Sequence, residues 1–389
     1  MAFSRVGEKM FVKVLCHLPT RPVLNCGTNV RMFSKGFTPL KSNVWFLSLV
    51  GIGTGAVVGA GYSYLKSKEP QTPVLTIQKD LPTIKSIPKM EVSRKVVFEN
   101  DSTGLRLKLF QYATCPFCCK VRAFLDYYGI SYDVIEVNPV MRQQIRWSHY
   151  KKVPILVAEN QDGCQQLNDS SMIISALMSY IIDKSESLTN IVNFYPTMLY
   201  KQDGYEKTEI LNRYFLMCQE KNQDEKTKEA MTLERKWRQW VDDTFVHVLS
   251  PNVYRTRSEA LETFNWFSEA GEWETHFPAW ERKIVIYVGA YAMWLISKRL
   301  KKRHNLKDDV RQSFYDECNE WMKAVHKQGT PFLGGEQPNL ADLAVYGVLN
   351  SIEGSRAFKD VLSHTKLGVW YWSVKAQVNK HKGNDTLKH

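Results

Sequence analysis

The sequence lacks the regular cysteine framework that small secreted proteins use for disulfide bonds. Its eight cysteines lie at positions 16, 26, 115, 118, 119, 164, 218 and 318 without a repeating interval, and the 389 residues are enough for two domains that need no such bonds. We therefore expect a reducing compartment for the folded part. No second Cys-x-x-Cys and no spaced Cys/His pair follows the pair Cys115–Cys118, so a zinc site is disfavoured and we predict no metal.

The sequence also lacks a nucleic-acid-binding module. The net charge of +12 is concentrated in residues 1–43 and in a short basic cluster at residues 298–303, and elsewhere the signs are mixed. Since binding to nucleic acid would need a basic stripe interleaved with a recognised module, we predict that nucleic acid is not a partner.

The N-terminal region is poor in acidic residues and then lacks charge altogether. Residues 1–43 contain one acidic residue, Glu8, which is typical of a mitochondrial presequence, and a basic cytosolic flank is the alternative. Residues 44–65 carry no charge, are long enough to cross hydrocarbon, and contain glycines spaced four apart. We predict a transmembrane anchor at 44–65, with a glycine-rich buried helix as the alternative, followed by a proline-punctuated linker at 66–104.

Two cysteines lie where a predicted strand gives way to a predicted helix. Residues 105–111 alternate as a strand does, and the apolar positions after the cysteines recur at helical spacing. Cys115 then lies in the first turn of the helix, where unpaired N–H groups and the helix dipole favour the thiolate. We predict Cys115 as a nucleophile and Cys118 as a resolving thiol. Tyr112 would reach the thiolate with its hydroxyl, or would be an ordinary core tyrosine.

The following residues are predicted to complete an α/β domain over residues 105–185, with the order β-α-β-α-β-β-α. The elements after the cysteine helix are a strand at 131–137, a short helix at 140–149, a strand at 152–157, a short strand at 165–167 and a helix that starts at 169–170. An X-Pro bond, Val153–Pro154, opens the third strand, and Asp169 with Ser170 caps the last helix.

The C-terminal half has the pattern of an all-α domain. Strand signals disappear from residue 225 to residue 389, after a long connecting segment at residues 186–224. Asn339 followed by Asp342 is a variant of the capping box that starts a helix. The apolar stretch 284–296 is too short to cross a bilayer, so we predict a buried helix there.

The motifs Cys-Pro-Phe-Cys at 115–118, Val153–Pro154 and Asp169–Ser170 together resemble a glutaredoxin and the N-terminal domain of a glutathione transferase. The resemblance implies a thioredoxin-like domain followed by a glutathione-transferase-type C-terminal helical domain, in addition to the N-terminal membrane anchor. It further implies that Pro154 is cis and that the Val153 backbone pairs with the cysteinyl unit of glutathione. Asp169 and Ser170 would hold the γ-glutamyl carboxylate at a helix N-terminus, and an ordinary N-cap is the alternative.

Within that superfamily the chain resembles the membrane-associated prostaglandin E synthases. The resemblance rests on five segments spread over both domains, at residues 112–118, 165–171, 250–256, 295–301 and 339–349. It implies that the Cys115 thiolate isomerises prostaglandin H2, a lipid carboxylic acid, to prostaglandin E2, while Tyr112 orients or donates to the developing alkoxide. Because this reaction has no net redox change, Cys118 would not be required for turnover.

The same resemblance implies that haem binds together with glutathione, and that the haem-bound form degrades prostaglandin H2 instead. His247, Ser250, Arg299 and Arg303 are the residues that it assigns to this cofactor. Arginine can pair with propionates or with the substrate carboxylate, but a solvated helix end is the alternative for the basic cluster. The chain departs from the family at Asn305, where a further arginine is expected.

The resemblance also implies a homodimer and a single-pass Golgi membrane protein with a proteolytically released cytoplasmic form, whereas the presequence-like N-terminus favours mitochondria. Two other functions stay open. A glutaredoxin-like thiol–disulfide oxidoreductase would need Cys115 with Cys118 or with glutathione, and a membrane-tethered carrier would bind glutathione or haem with little turnover. Substitution of Cys118 distinguishes disulfide exchange through Cys118 from isomerisation, since only that exchange would need it.

Overall fold

The computed structural model describes residues 76–78, 83–160, 163–202, 205–217 and 224–388. The predicted basic segment at 1–43 and the predicted anchor at 44–65 lie outside these residues. Among the helices in the described ranges, none is long and apolar enough to cross a membrane.

The strands form two sheets. In chain order they are β1 (Thr76–Gln78), β2 (Thr83–Ile84), β3 (Arg94–Val96), β4 (Arg106–Gln111), β5 (Tyr132–Glu136), β6 (Ile155–Asn160), β7 (Gly163–Asn168), β8 (Thr197–Gln202) and β9 (Tyr205–Ile210). The main sheet has the spatial order β2-β7-β6-β4-β5-β3, and the small sheet has the order β1-β8-β9. In the main sheet β4 and β5 are parallel and the other neighbours are antiparallel.

Helices connect and cover the main sheet and then form the second half of the fold. In chain order they are α1 (Pro116–Tyr128), α2 (Ser170–Ile182), α3 (Leu188–Val192), α4 (Glu225–Trp240), α5 (Val246–Val253), α6 (Arg257–Ala270), α7 (Trp273–His276), α8 (Ala279–Arg303), α9 (Val310–Gln328), α10 (Leu340–Asn350), α11 (Arg356–His364) and α12 (Leu367–Asn379). The predicted order β-α-β-α-β-β-α is confirmed, although the second helix is a single 3₁₀ turn at Gln143–Ile145.

The side chains of the central strand β4 alternate between two hydrophobic cores, as the sequence pattern predicts. Leu107 and Leu109 of β4 point to the large core shared with the helices, and Phe110 points to a smaller core on the opposite face of the sheet. Because side chains alternate along a strand, both faces of β4 are buried. The first residue after β4, Tyr112, packs against the smaller core.

The segment predicted as a linker, residues 66–104, contributes to the sheet. β2 pairs with β7 at one edge of the main sheet and β3 pairs with β5 at the other. Strands of two and three residues are too short to leave an alternating pattern in the sequence, and edge strands tolerate polar side chains. The folded part therefore begins before residue 105. The connecting segment 186–224 likewise has regular structure, namely α3, β8 and β9.

The helical half packs directly on the cysteine helix. Asn339 caps α10, and Asp342 completes the predicted capping box by accepting the Asn339 N–H. α10 lies against α1. A Cβ atom added to Gly347 of α10 would come within 2.6 Å of the Lys120 Cα atom of α1, so glycine is required for this close approach.

The prediction of a buried helix at 284–296 is wrong for one face of α8. Val285, Ala290 and Met293 are buried, as expected for an apolar stretch. The opposite face, which includes Ile284 and Tyr287, is exposed to solvent. An apolar run without a polar face has no sequence signal that distinguishes a fully buried helix from one with an uncovered apolar side.

Candidate functional site

The strand register brings the predicted site residues to one edge of the main sheet. Ile155 pairs with Phe110 of β4 on one side and with Asn168 of β7 on the other. The residues just beyond these pairs, Pro154 and Asp169, therefore lie next to the end of β4, where the loop to Cys115 begins. The cysteine motif and the Val153–Pro154 bond are separated by about 40 residues in sequence. They meet at this edge because β6 returns antiparallel to β4.

Cys115 lies at the start of the cysteine helix. It is the N-cap residue of α1, with Pro116 in the first turn, and it is half-buried. The S–H of Cys118 donates a hydrogen bond toward the Cys115 sulfur. This donor, together with the backbone N–H groups of Cys118 and Phe117 and the Arg122 guanidinium, lowers the pKa of Cys115 against the opposing effect of burial. The first turn of α1 thus favours a thiolate.

The pKa values of the two neighbouring thiols are raised, whereas that of Cys115 is lowered. Burial, and then the hydrogen bond to Cys115, raises the pKa of Cys118 well above its ordinary value. Burial raises the pKa of Cys119 to about 11, although Arg122 opposes this. The Arg122 Nη2 atom lies 3.1 Å from the Cys119 sulfur and 2.6 Å from the Ala113 carbonyl oxygen. Cys118 and Cys119 therefore stay protonated at neutral pH, and Cys115 is the one thiol of these three whose pKa is lowered.

Tyr112 lies close to the thiols but is hydrogen-bonded elsewhere. Burial raises its pKa to about 12, Arg142 opposes the rise through its charge and a side-chain hydrogen bond, and Cys115 and Cys118 add to it. The hydroxyl therefore stays protonated at neutral pH. Because Arg142 accepts no hydrogen bonds, it donates to the Tyr112 oxygen and leaves the Tyr112 proton available for another acceptor.

The Val153–Pro154 bond is cis, as the resemblance implied. Within the described ranges, no residue makes a hydrogen bond to the Val153 backbone. Asp169 caps α2, and its Oδ1 atom accepts the N–H groups of Ser171 and Met172. The residues predicted for glutathione thus combine an unpaired backbone segment with the N-terminus of a 13-residue helix, which suits a peptide that carries a carboxylate.

Two tyrosines and one arginine that the sequence analysis did not identify also border the site. Arg213, from the connecting segment, places its Nη1 atom 3.6 Å from the Asp169 Oδ2 atom and is half-buried. Tyr150 has its pKa raised by burial and then by the charges of Asp169 and Cys115. Tyr254, from the helical half, has its pKa raised by burial and then by Cys115. Arg213 and Tyr254 are far from the motifs in sequence, and none of the three residues carries a local signal.

A buried ion pair connects the cysteine helix to the helical half. The Lys120 Nζ atom lies 2.5 Å from Asp242 Oδ1 and 3.0 Å from Ser171 Oγ. Ser171 Oγ and the Tyr214 hydroxyl both donate to Asp242 Oδ2. Asp242 belongs to a π-helical turn at Val241–Phe245, between α4 and α5, and such turns are frequent at functional sites. This cluster fixes α1 and α2 relative to α4.

The residues assigned to haem lie at the end of α8 and in α5, where two histidine rings stack on each other. The His247 ring stacks on His304 with centroids 4.2 Å apart and planes 10° apart. Burial, with His304 and Arg303 nearby, lowers the pKa of His247 to about 4. Arg299 is exposed. These contacts do not test haem binding by His247, Ser250, Arg299 and Arg303, which stays a prediction, and we derive no step through haem.

Replacing Cys118 tests whether its S–H group stabilises the Cys115 thiolate. We expect replacement of Cys118 by alanine to raise the pH at which Cys115 becomes reactive, because the S–H donor is lost, whereas Cys118→Ser keeps an O–H donor and shifts it less. Since a lowered thiol pKa leaves the thiolate populated above that pKa, reactivity falls as the pH drops through it. The measurement is the rate of Cys115 alkylation by iodoacetamide against pH, with the modified residue identified by mass spectrometry. Identical profiles for wild type and Cys118→Ala would contradict the role of this donor.

A glutaredoxin family profile matches residues 107–162 of the chain. Over 282 residues the chain is 51% identical to prostaglandin E synthase 2 of Mus musculus, with 72% of each chain covered. Over 272 residues it is 50% identical to prostaglandin E synthase 2 of Danio rerio, with 69% of this chain and 70% of the relative covered. Among solved structures, apo glutathione S-transferase III is similar over 71% of this chain and 95% of its own, at 13% identity and a TM-score of 0.39.

Proposed function

The chain belongs to the prostaglandin E synthase 2 family, and we propose that it isomerises prostaglandin H2 to prostaglandin E2 at Cys115. The observation that carries the proposal is the environment of Cys115 at the start of α1. Its thiolate is favoured by the Cys118 thiol and by backbone N–H groups, while the two neighbouring thiols have raised pKa values. A single activated thiol suits nucleophilic attack, which needs one thiolate and no exchange partner.

The proposed reaction begins with attack of the Cys115 sulfur on one peroxide oxygen of the substrate. An S–O bond forms, the O–O bond breaks, and the other oxygen leaves as an alkoxide. This alkoxide takes a proton, which the protonated Tyr112 hydroxyl supplies. A base then removes the hydrogen from the carbon that bears the S–O oxygen. A carbonyl forms there, the S–O electron pair returns to sulfur, and one proton lost balances one proton gained.

We propose that glutathione binds beside Cys115. The unpaired Val153 backbone would receive its peptide unit, and the N-terminus of α2 at Asp169 and Ser170 would receive its γ-glutamyl carboxylate. Arg213 adds a half-buried cation at the same helix end, which complements a carboxylate by charge and geometry. When bound, glutathione supplies a second thiol to the site.

A second candidate function is thiol–disulfide exchange. It is favoured by the hydrogen bond between Cys118 and Cys115, which places a second sulfur next to the nucleophile. It is disfavoured by the complete burial of Cys118, because a resolving thiol has to reach the mixed disulfide.

The product formed from prostaglandin H2 tests the proposed function. The full chain, without added haem and with a thiol present, is incubated with prostaglandin H2, and heat-inactivated protein serves as the control. We expect prostaglandin E2 to accumulate above the mixture that forms spontaneously from the endoperoxide. A product mixture equal to that of the inactivated protein, together with reduction of glutathione mixed disulfides, would favour disulfide exchange instead.

A further inference from the structure

A cavity of about 400 Å³ lies beside the loop that leads to Cys115. Ala113 and Thr114, the two residues before Cys115, form part of its wall together with Arg122 of α1. The helical half supplies other parts of the wall, from α6 and from the end of α10. Because consecutive Cα atoms are about 3.8 Å apart, the Ala113 Cα atom lies within about 8 Å of that of Cys115. The cavity is therefore next to the proposed nucleophile, although Cys115 itself is not part of the wall.

Two arginines give this wall cationic hydrogen-bond donors. Arg94 of β3 is exposed and makes no hydrogen bond or ion pair with the described residues. The Arg122 Nη1 atom donates to the Gln111 Oε1 atom at 2.8 Å. Its Nη2 atom contacts the Ala113 carbonyl oxygen at 2.6 Å and the Cys119 sulfur at 3.1 Å. These contacts fix the guanidinium in place, and since it has five N–H groups, two remain for a further acceptor.

The acids near the two arginines have other hydrogen-bond partners. In the cavity wall, the Glu353 Oε1 atom lies 2.5 Å from the Lys375 Nζ atom, and its Oε2 atom accepts the Tyr371 hydroxyl at 2.8 Å. Outside the wall, Asp126 and Glu136 accept hydrogen bonds from neutral side chains at 2.8 and 2.6 Å. Among the described residues, these acids offset part of the charge of the arginines but accept none of their N–H groups.

Neutral donors add to the polar part of the wall. Trp266 of α6 is half-buried, and its indole N–H makes no hydrogen bond with the described residues. Asn350, the last residue of α10, contacts the Tyr371 hydroxyl through its Oδ1 atom at 3.4 Å, and its NH₂ group has no acceptor within the described ranges. Donors thus outnumber available acceptors in this wall. Such a wall suits a carboxylate, which only accepts hydrogen bonds and which arginine can bind with two parallel N–H groups.

We propose that this cavity binds the carboxylate of the substrate, with Arg94 and Arg122 as its cationic partners and Asn350 and Trp266 as neutral donors. Prostaglandin H2 carries its carboxylate at the end of an alkyl chain attached to the endoperoxide ring. A substrate whose peroxide lies at Cys115 therefore needs a carboxylate site beside the thiol and not at it. The inference rests on the proposed function, because the substrate is the one named there.

Binding of a matched acid and ester tests the carboxylate site without turnover. The ligand is a stable analogue of prostaglandin H2 in which a carbon atom replaces one peroxide oxygen, used as the free acid and as its methyl ester. Dissociation constants are measured by isothermal titration calorimetry with the full chain. We expect Arg94→Gln to bind the acid about tenfold more weakly than wild type does, while ester binding changes by less than about twofold. Arg106→Gln is the matched control, because Arg106 is also exposed but lies at the opposite end of β4 from the cysteine loop.

A second variant addresses the arginine that also holds the loop. Arg122→Lys keeps a cation but loses the planar fork that pairs two oxygens, so we expect it to weaken binding of the acid and not of the ester. An acid preference that both variants leave intact, or equal weakening of acid and ester, would overturn the carboxylate site. Equal binding of acid and ester by wild type would also overturn it. If the preference depends on both arginines but the product assay shows no prostaglandin E2, the carboxylate site stands and the isomerase function fails.

Discussion

Replacing Cys115 with serine is expected to reduce prostaglandin E2 formation to the spontaneous level. A serine hydroxyl at this position stays protonated at neutral pH, so the donors that stabilise a thiolate at the start of α1 have no anion to act on. Loss of a catalytic nucleophile typically costs on the order of a thousandfold or more in rate. The measurement is initial prostaglandin E2 formation from prostaglandin H2, corrected for spontaneous rearrangement, with the fold checked by circular dichroism.

Two further cysteine variants make this result specific. Cys164→Ser removes a buried thiol on β7, outside the site, and is expected to keep most of the activity. Cys118→Ser is expected to lower activity only mildly under the isomerase mechanism, whereas disulfide exchange through Cys118 would be lost. Full activity of Cys115→Ser would rule out Cys115 as the nucleophile. Equal loss in Cys115→Ser and Cys118→Ser would move the assignment to exchange chemistry.

The parts of the fold that could be predicted from sequence are those set by local physics. The alternating pattern of residues 105–111 predicts the strand before Cys115. The capping box, which involves residues three apart, predicts the start of α10. Pro154 and Asp169 were assigned through the resemblance. The structure adds the register that brings both to the end of β4.

The parts that could not be predicted depend on contacts between distant segments. Arg213 reaches Asp169 only because the connecting segment returns to the start of α2. Strands β2 and β3 are recognisable only by the strands that they pair with. His247 was assigned to a cofactor by resemblance, but its stacking on His304 follows from how α5 and α8 pack, which no motif encodes. In each case tertiary packing, and not local propensity, fixes the position.

The buried ion pair between Lys120 and Asp242 connects the cysteine helix to the helical half. Burial alone would raise the pKa of Asp242, but the Lys120 ammonium and the hydrogen bonds from Lys120 and Ser171 outweigh it and lower the pKa. The folded protein therefore holds this proton less tightly than the unfolded chain does. It follows that the stability contributed by Asp242 is present at neutral pH and is lost as the pH falls through the lowered pKa.

Replacing Asp242 with alanine is expected to lower the free energy of unfolding by about 3–5 kcal/mol, because it leaves Lys120, 1% exposed, as a buried charge without its counter-ion. The measurement is urea-induced unfolding of the full chain at neutral pH. The double variant Lys120→Met/Asp242→Leu is the matched control, since it removes both charges at similar volume and is expected to recover most of the loss. If the double variant is as unstable as Asp242→Ala, the cost arises from the hydrogen bonds of Ser171 and Tyr214 and not from the unpaired ammonium. If Asp242→Ala costs less than about 1 kcal/mol, in the range of an exposed ion pair, the cluster does not hold α1 against α4.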